Sequence, residues 1–304
     1  MNFRKYLPWW ARIGAKLLLS NLPIPYSWWR KLSLFRHGDM NLPEPAIDKF
    51  RHHFELANTV RPLPTEFTTL ELGPGDSVFS VVIARAWGAT AVIALDAGDF
   101  AMRDVQAYRR TAEVLNRQGR KCPDLSDAKD FDGMLGRLNA RYLTRGTDSL
   151  AEIPAGSIDY IWSCVVLEHV HRDEFARMAR EMRRVLKPGG VMAHSIDLRD
   201  HLGGGLNNLR FTTTRWESRL FQRAGFYTNR LGFRDLVGLF EEAGFTWKTA
   251  QVDRWPVPPL PRGLMQPEFR GRSDDDLCIA GFQLILWPTD GTGQTAKHET
   301  VNPL

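Results

Sequence analysis

A doubly wound, mostly parallel α/β sheet is the fold this sequence predicts, and three observations predict it. Short apolar runs alternate with amphipathic stretches from about residue 67 onward. The first two runs, Phe67–Glu71 and Ala91–Asp96, each end in an acid. The first leads directly into Leu72-Gly73-Pro74-Gly75. Continuous apolar runs suit strands buried on both faces, and alternation with helical patterns gives crossover connections. Two glycines just past a strand let the backbone turn sharply and come close to a ligand.

In chain order, residues 1–43 form a basic aromatic arm. Residues 1–37 hold seven Lys/Arg and no acid, so removing them from the net +5 leaves −2 for the rest. Trp9, Trp10, Trp28 and Trp29 stand beside those cations. Indole rings and cations suit a membrane interface, and residues 9–20 can form a short helix in that plane. The competing reading is an arm packed on the protein itself. Nucleic acid is not expected, since no binding motif accompanies the charge. No run approaches the ~20 apolar residues that span a bilayer. Cys122, Cys164 and Cys278 show no disulfide or zinc pattern, so a cytoplasmic protein is expected, peripheral on the inner membrane face where the arm meets lipid.

Residues 44–287 make up the main domain. Ile47, Phe50, Phe54 and Ala57 fall at helical spacing, with His52 and His53 read as solvated or rim residues. A helix over 78–87 follows the glycine turn, and Gly88 stops it. Asp96 lies about 20 residues beyond that turn, where a carboxylate can accept both ribose hydroxyls of an adenosine. A helix through Met102–Leu115, an inserted helical piece at 120–138, and a strand near 141–144 come next. Strand four, Ile158–Ser163, precedes Glu168-His169-Val170, a helix over 172–186, the turn Lys187-Pro188-Gly189-Gly190 and strand five, Val191–Ile196. A second insertion covers 199–232. Leu236, Leu239 and Phe240 mark a helix, strand six opens at Gly244-Phe245, and 277–287 is a last strand. Residues 288–304 read as a polar tail. Ligands on such sheets sit beyond the carboxyl ends of the strands, which would gather Gly73, Asp96, Asp148 and Ser163.

Taken together, Glu71-Leu72-Gly73-Pro74-Gly75, Asp96, Thr147-Asp148, the Ile158-to-Val170 stretch and Leu186-Lys187-Pro188-Gly189-Gly190 resemble the ordered motifs of class I S-adenosylmethionine-dependent methyltransferases. The resemblance spans about residues 66–287 and departs at Ser77, where the family often has a third glycine. It implies a Rossmann-like seven-stranded sheet with an antiparallel last strand. It also implies a donor site in which Gly73, Pro74 and Gly75 flank the methionine portion, Glu71 meets its ammonium, Asp96 the ribose, and Thr147 and Asp148 the adenine. More loosely, the Asp197-to-His201 and Tyr227-to-Arg230 patterns resemble methyltransferases of bacterial surface-polysaccharide pathways, which implies O-methylation of a glycan or lipid-linked sugar.

The segment Met192–His201 leaves strand five with two histidines and two aspartates. His201 is the expected general base, oriented by Asp197 or Asp200, with His169 as the competing candidate. The alternative is that Asp197 and Asp200 cap local turns. A metal is not expected, although magnesium held by Asp197, Asp200 and His201 is a second possibility. Tyr227–Arg230 suits a sugar or a loop pinned by its own side chains. Two rival functions remain open: an NAD(P)-dependent oxidoreductase, whose fingerprint wants glycine where Val78 stands, and a non-catalytic binding module on the same fold.

Overall fold

The computed structural model describes residues 42–222 and 224–289, together with Trp10, Ala11, Ile13, Gly14 and Leu17. Seven strands form one sheet in the order β3-β2-β1-β4-β5-β7-β6. They are β1 (Phe67–Leu72), β2 (Ala89–Leu95), β3 (Ala140–Leu143), β4 (Ile158–Cys164), β5 (Leu186–Asp197), β6 (Phe245–Arg254) and β7 (Ile279–Pro288). β1 pairs in parallel with β2 and β4, β2 with β3, and β4 with β5, whereas β7 runs antiparallel to both β5 and β6. This is the predicted class I methyltransferase topology, antiparallel last strand included.

Alternating side chains divide the sheet between two helical layers. On one face Phe67, Val92, Ala94, Tyr160, Trp162 and Ala193 pack with helices α1 (Pro43–Val60), α2 (Phe79–Ala86), α3 (Val105–Arg117) and α4 (Phe131–Arg137). On the other face Leu70, Ile93, Ile161, Met192 and Leu284 meet α5 (Arg172–Val185) and α6 (Phe233–Glu242). Burial on both faces is what makes these strands read as unbroken apolar runs.

Two expectations change. Lys187–Gly190 is not a free turn: β5 already begins at Leu186, opposite Ile158, and the register shifts before Tyr160 meets Val191. His53 is not solvated. α1 lies across Tyr160 and Trp162 through Phe50, so the residue one turn along the same face is carried into the core.

The insertion after β5 folds as a layer of its own above the sheet. Leu202, Trp216, Phe221, Phe226 and Tyr227 form one cluster, and Leu206 and Leu209 join Leu260, Met265 and Phe269 in another. Most of the basic aromatic arm lies outside the described residues. Of its described residues, Ile13 is 7% exposed within the first of these clusters, and Leu17 packs against it. None of the helices described is long and apolar enough to cross a membrane.

Candidate active site

The ends of β1, β2 and β3 are tied together around Asp96. The Gly73 amide donates to the Leu95 carbonyl (2.7 Å), the Asp96 amide to Leu143 (2.8 Å), and the Gly146 amide to Asp96 (2.8 Å). One Asp96 carboxylate oxygen accepts the Gly75 N–H at 2.8 Å and the other the Ala97 N–H at 2.7 Å. These two bonds, one on each oxygen, fix the orientation of the carboxylate at the strand ends.

Gly73 and Gly75 have φ of 66° and 71°, the left-handed region that glycine occupies without strain. A Cβ on Gly73 would stand 2.5 Å from Val166 Cγ2, so β4's exit loop already fills the space beside this glycine. Pro74 and Gly75 are buried next to it. Glu71 points into the core, where the Ser80 hydroxyl of α2 donates to it. Burial, partly offset by that bond and reinforced by Asp96, pushes its pKa up to about 8.

Of the other residues expected here, Thr147 is buried beside Gly146. Asp148 lies at the surface: its side chain is 68% exposed and pairs with Arg177 of α5 at 2.7 Å. Ser163 lies wholly inside the core, 2.7 Å from His194 Nδ1. A side chain at that strand position points into the α5–α6 layer, which is why Ser163 does not join the strand ends. His194 is buried as well, stacked on Phe240, and burial lowers its pKa to about 3.

Beyond β4 the chain passes through Val165, with φ of 59° and 41% exposed, into a single turn at Leu167–His169. Positive φ is an outlier for a β-branched residue and marks a position held by its surroundings. Asn229 holds the following turn by donating to the carbonyls of Leu167 and Val170. Glu168 is buried beneath it. One of its oxygens accepts the Asp197 amide at 3.3 Å, the other has no hydrogen-bond partner among the described residues, and desolvation raises its pKa to about 8.

His201 does meet His169: their Nε2 atoms are 3.2 Å apart and the rings are nearly parallel. His169 Nδ1 lies 2.8 Å from the Tyr227 carbonyl, which can only accept. Nδ1 therefore carries the proton, and in the neutral ring Nε2 is a lone pair facing His201. Neither aspartate orients His201. Asp197 accepts the amide and guanidinium of Arg199. Asp200, 3% exposed, accepts the amides of Leu202, Gly203 and Gly204 on one oxygen and the amide and side chain of Asn207 on the other. Its carboxylate is the hub of its own loop, so Asp197, Asp200 and His201 do not converge as a cation site. Among the described residues no group of three or more His, Cys, Asp or Glu could hold a metal.

The Tyr227–Arg230 stretch is likewise pinned from within. Tyr227 donates to Glu217, and Arg230 donates to Phe211 and Thr213 while lying over the Trp216 and Phe269 rings. Sequence reasoning missed Asn229 as the clamp on the His169 turn, and it missed the pairing of His53 Nε2 with Ser195 Oγ at 2.8 Å. An Asn two residues past an aromatic signals nothing by itself, and 142 residues separate His53 from Ser195.

A family model described as a methyltransferase domain matches residues 44–249 of this chain. No curated protein matches the sequence. Among solved structures, the YcgJ protein of Bacillus subtilis is similar at 15% identity over 79% of this chain and 100% of its own, with a TM-score of 0.45. An S-adenosylmethionine-dependent methyltransferase from Mesorhizobium loti matches at 16% identity over 82% and 98%, with a TM-score of 0.40. Phosphoethanolamine N-methyltransferase 2 of Haemonchus contortus, in complex with S-adenosyl-L-methionine, matches at 14% identity over 80% and 53%, with a TM-score of 0.44.

Proposed function

Since the chain belongs to the methyltransferase-domain family, with the class I S-adenosylmethionine-dependent fold, we propose that it transfers the donor methyl group to a hydroxyl of a glycan or lipid-linked sugar. Residues of the strand ends suit the donor. Asp96 is oriented at the strand ends by two amides, where it suits the ribose, Gly73, Pro74 and Gly75 form a close backbone wall, and Thr147 and the exposed Asp148 border the adenine end. S-adenosylmethionine supplies an activated methyl on a sulfonium, so the protein's work is alignment and proton removal.

The observation that carries the hydroxyl reading is the His169–His201 pair. With His169 Nε2 a lone pair, His201 donates its Nε2 proton there, which leaves His201 Nδ1 as the basic atom. In the transfer the acceptor oxygen bonds the methyl carbon, the carbon–sulfur pair returns to sulfur, and the hydroxyl proton passes to His201. His169 then stabilises the resulting imidazolium. His201→Gln is expected to cut turnover by roughly 10²–10⁴-fold while donor affinity stays within about twofold. The measurement is methyl incorporation into glycans extracted from cells carrying each form, read by mass spectrometry. Wild-type levels with His201→Gln would exclude the role.

Calorimetry with S-adenosylmethionine, S-adenosylhomocysteine and NADH tests the donor. Binding of NADH in preference to the other two would favour the oxidoreductase. Residence at the inner membrane face is part of the same proposal, through the cations and tryptophans of residues 1–43. Equal liposome flotation of the full chain and a chain beginning at residue 44 would remove it.

A further inference from the structure

Beside the donor wall lies a half-open pocket of ≈ 160 Å³ lined by Val165, Ser195, Arg199, Gln251, Asp253 and Gln283. It opens because Gly281 carries no side chain. Asp197 and Asp253 both stand opposite Gly281 in the sheet register, and a Cβ there would come 2.9 Å from the Ile196 carbonyl. The next row of the same face is Ser195, Gln283 and Gln251, one from each of three adjacent strands. The space adjoins the donor site through one dipeptide. Val166 packs on Gly73, and Val165, held at its outlying φ with its amide on the Ser195 carbonyl, lines the cavity.

Two histidines of α1 fix what this wall presents. His53 Nδ1 is 2.7 Å from the Lys49 carbonyl and must carry the proton, so His53 Nε2 accepts the Ser195 hydroxyl proton. Ser195 Oγ, its proton committed to His53, is then an acceptor. His52 Nε2 lies 3.0 Å from Gln283 Oε1; with that nitrogen protonated it donates to the amide oxygen, and the Gln283 N–H₂ is the donor. Gln251 donates to Asp253 at 2.8 Å, leaving its own oxygen as acceptor. Arg199, held by Asp197 at 3.2 Å with Asp253 at 3.9 Å, adds N–H donors. Donors and acceptors are therefore interleaved, the pattern that hydroxyl groups, each both donor and acceptor, satisfy. An apolar group would leave them unpaired, and an anion would face two carboxylates. At ~30 Å³ per water the space equals about five waters, which suits one ring and is well below the ~300 Å³ of a drug-sized pocket.

We propose that this cavity is the subsite for one neutral, polyhydroxylated ring of the methyl acceptor, recognised through Ser195, Gln283, Gln251 and Asp253, with His53 and His52 as positioning residues. It rests on the methyltransferase reading and names the chemistry of that site's acceptor. The test is saturation-transfer NMR on the full chain, with and without S-adenosylhomocysteine. The probes are methyl α-glucoside, methyl α-galactoside, myo-inositol, choline and inorganic phosphate. Polyol signals are expected, weakened about tenfold or more in Gln283→Leu and in Gln251→Leu, with S-adenosylhomocysteine affinity unchanged. Gln251 is exposed and its side chain bonds Asp253 among the described residues, so its variant keeps the test open if Gln283→Leu misfolds. No polyol signal, undiminished signal in both variants, or preference for choline or phosphate would overturn the subsite. Loss of S-adenosylhomocysteine binding alone would instead overturn the donor assignment.

Discussion

At Gly73 two demands meet in one residue: a φ of 66° and a neighbour, Val166, standing where a side chain would begin. Gly73→Ala is expected to destabilise by ~1–3 kcal/mol through backbone strain and to weaken S-adenosylmethionine by more than about tenfold. Adding Val166→Ala should return part of the stability, because it removes the clash and leaves the strain; thermal melts and calorimetry read both. Glu71 gives a second test. Its carboxyl is largely protonated near neutral pH, and a cationic donor placed beside it would favour the charged form. Binding at pH 7 should release a proton in the wild type and none from this site in Glu71→Gln. Calorimetry in two buffers of different ionisation enthalpy measures the release. Residues of this kind were legible in the sequence because strand, turn and acid are contiguous. Thr147 and Asp148 were not separable, since which of two adjacent side chains faces inward depends on a single helical turn whose phase the sequence does not state. The sequence also made His201 and His169 candidates, but not their contact, which depends on the Tyr227 carbonyl of a distant loop.

Among elements, strands β1 to β5 and their crossovers were readable from apolar runs because both faces are covered. The insertion over 199–232 was not, since its single helical turns are held by buried polar groups that leave no periodicity. Asp200 shows how. Five N–H bonds from 202–207 converge on one carboxylate, so Asp200→Ala removes every acceptor at once and is expected to cost about 2–4 kcal/mol. Asp200→Asn keeps one carbonyl oxygen and should lose less. Denaturant unfolding measures the loss of stability. The same variants should also lower turnover, because His201 is carried on the loop that Asp200 organises. A loss of turnover with unchanged stability would mean that Asp200 acts on the chemistry after all. The positions of His53 and Ser195 belong to this scale too. They come together only when α1 docks across β4 and β5, a contact that neither element's own pattern specifies.

For the molecule as a whole, four buried titratable groups set opposing pH dependences. Burial pushes Glu71 and Glu168 up to about 8 in the folded chain, against an ordinary value of 4.5. Their contribution is complete below 4.5 and is lost as pH rises through 8, because the unfolded chain releases those protons first. His53 and His194 titrate at about 4 and about 3 against 6.5. Theirs is complete above 6.5 and is lost as pH falls through the folded values. Between 4.5 and 6.5 the two pairs oppose each other and stability from these groups changes little. From 6.5 to 8 only the carboxyls act, and stability should fall with a limiting slope of about 1.4 kcal/mol per pH unit for each. Below 4.5 only the histidines act, and stability falls again. Chemical denaturation at half-unit steps from pH 4 to pH 9 should therefore trace a plateau with two declining sides. Glu71→Gln combined with Glu168→Gln should flatten the alkaline side and, with the opposing carboxyls gone, extend the acid decline up to pH 6.5. An alkaline decline that survives in the double variant would mean that the two carboxyls are already ionised in the fold, and Glu71 would then have no proton to release when the donor binds.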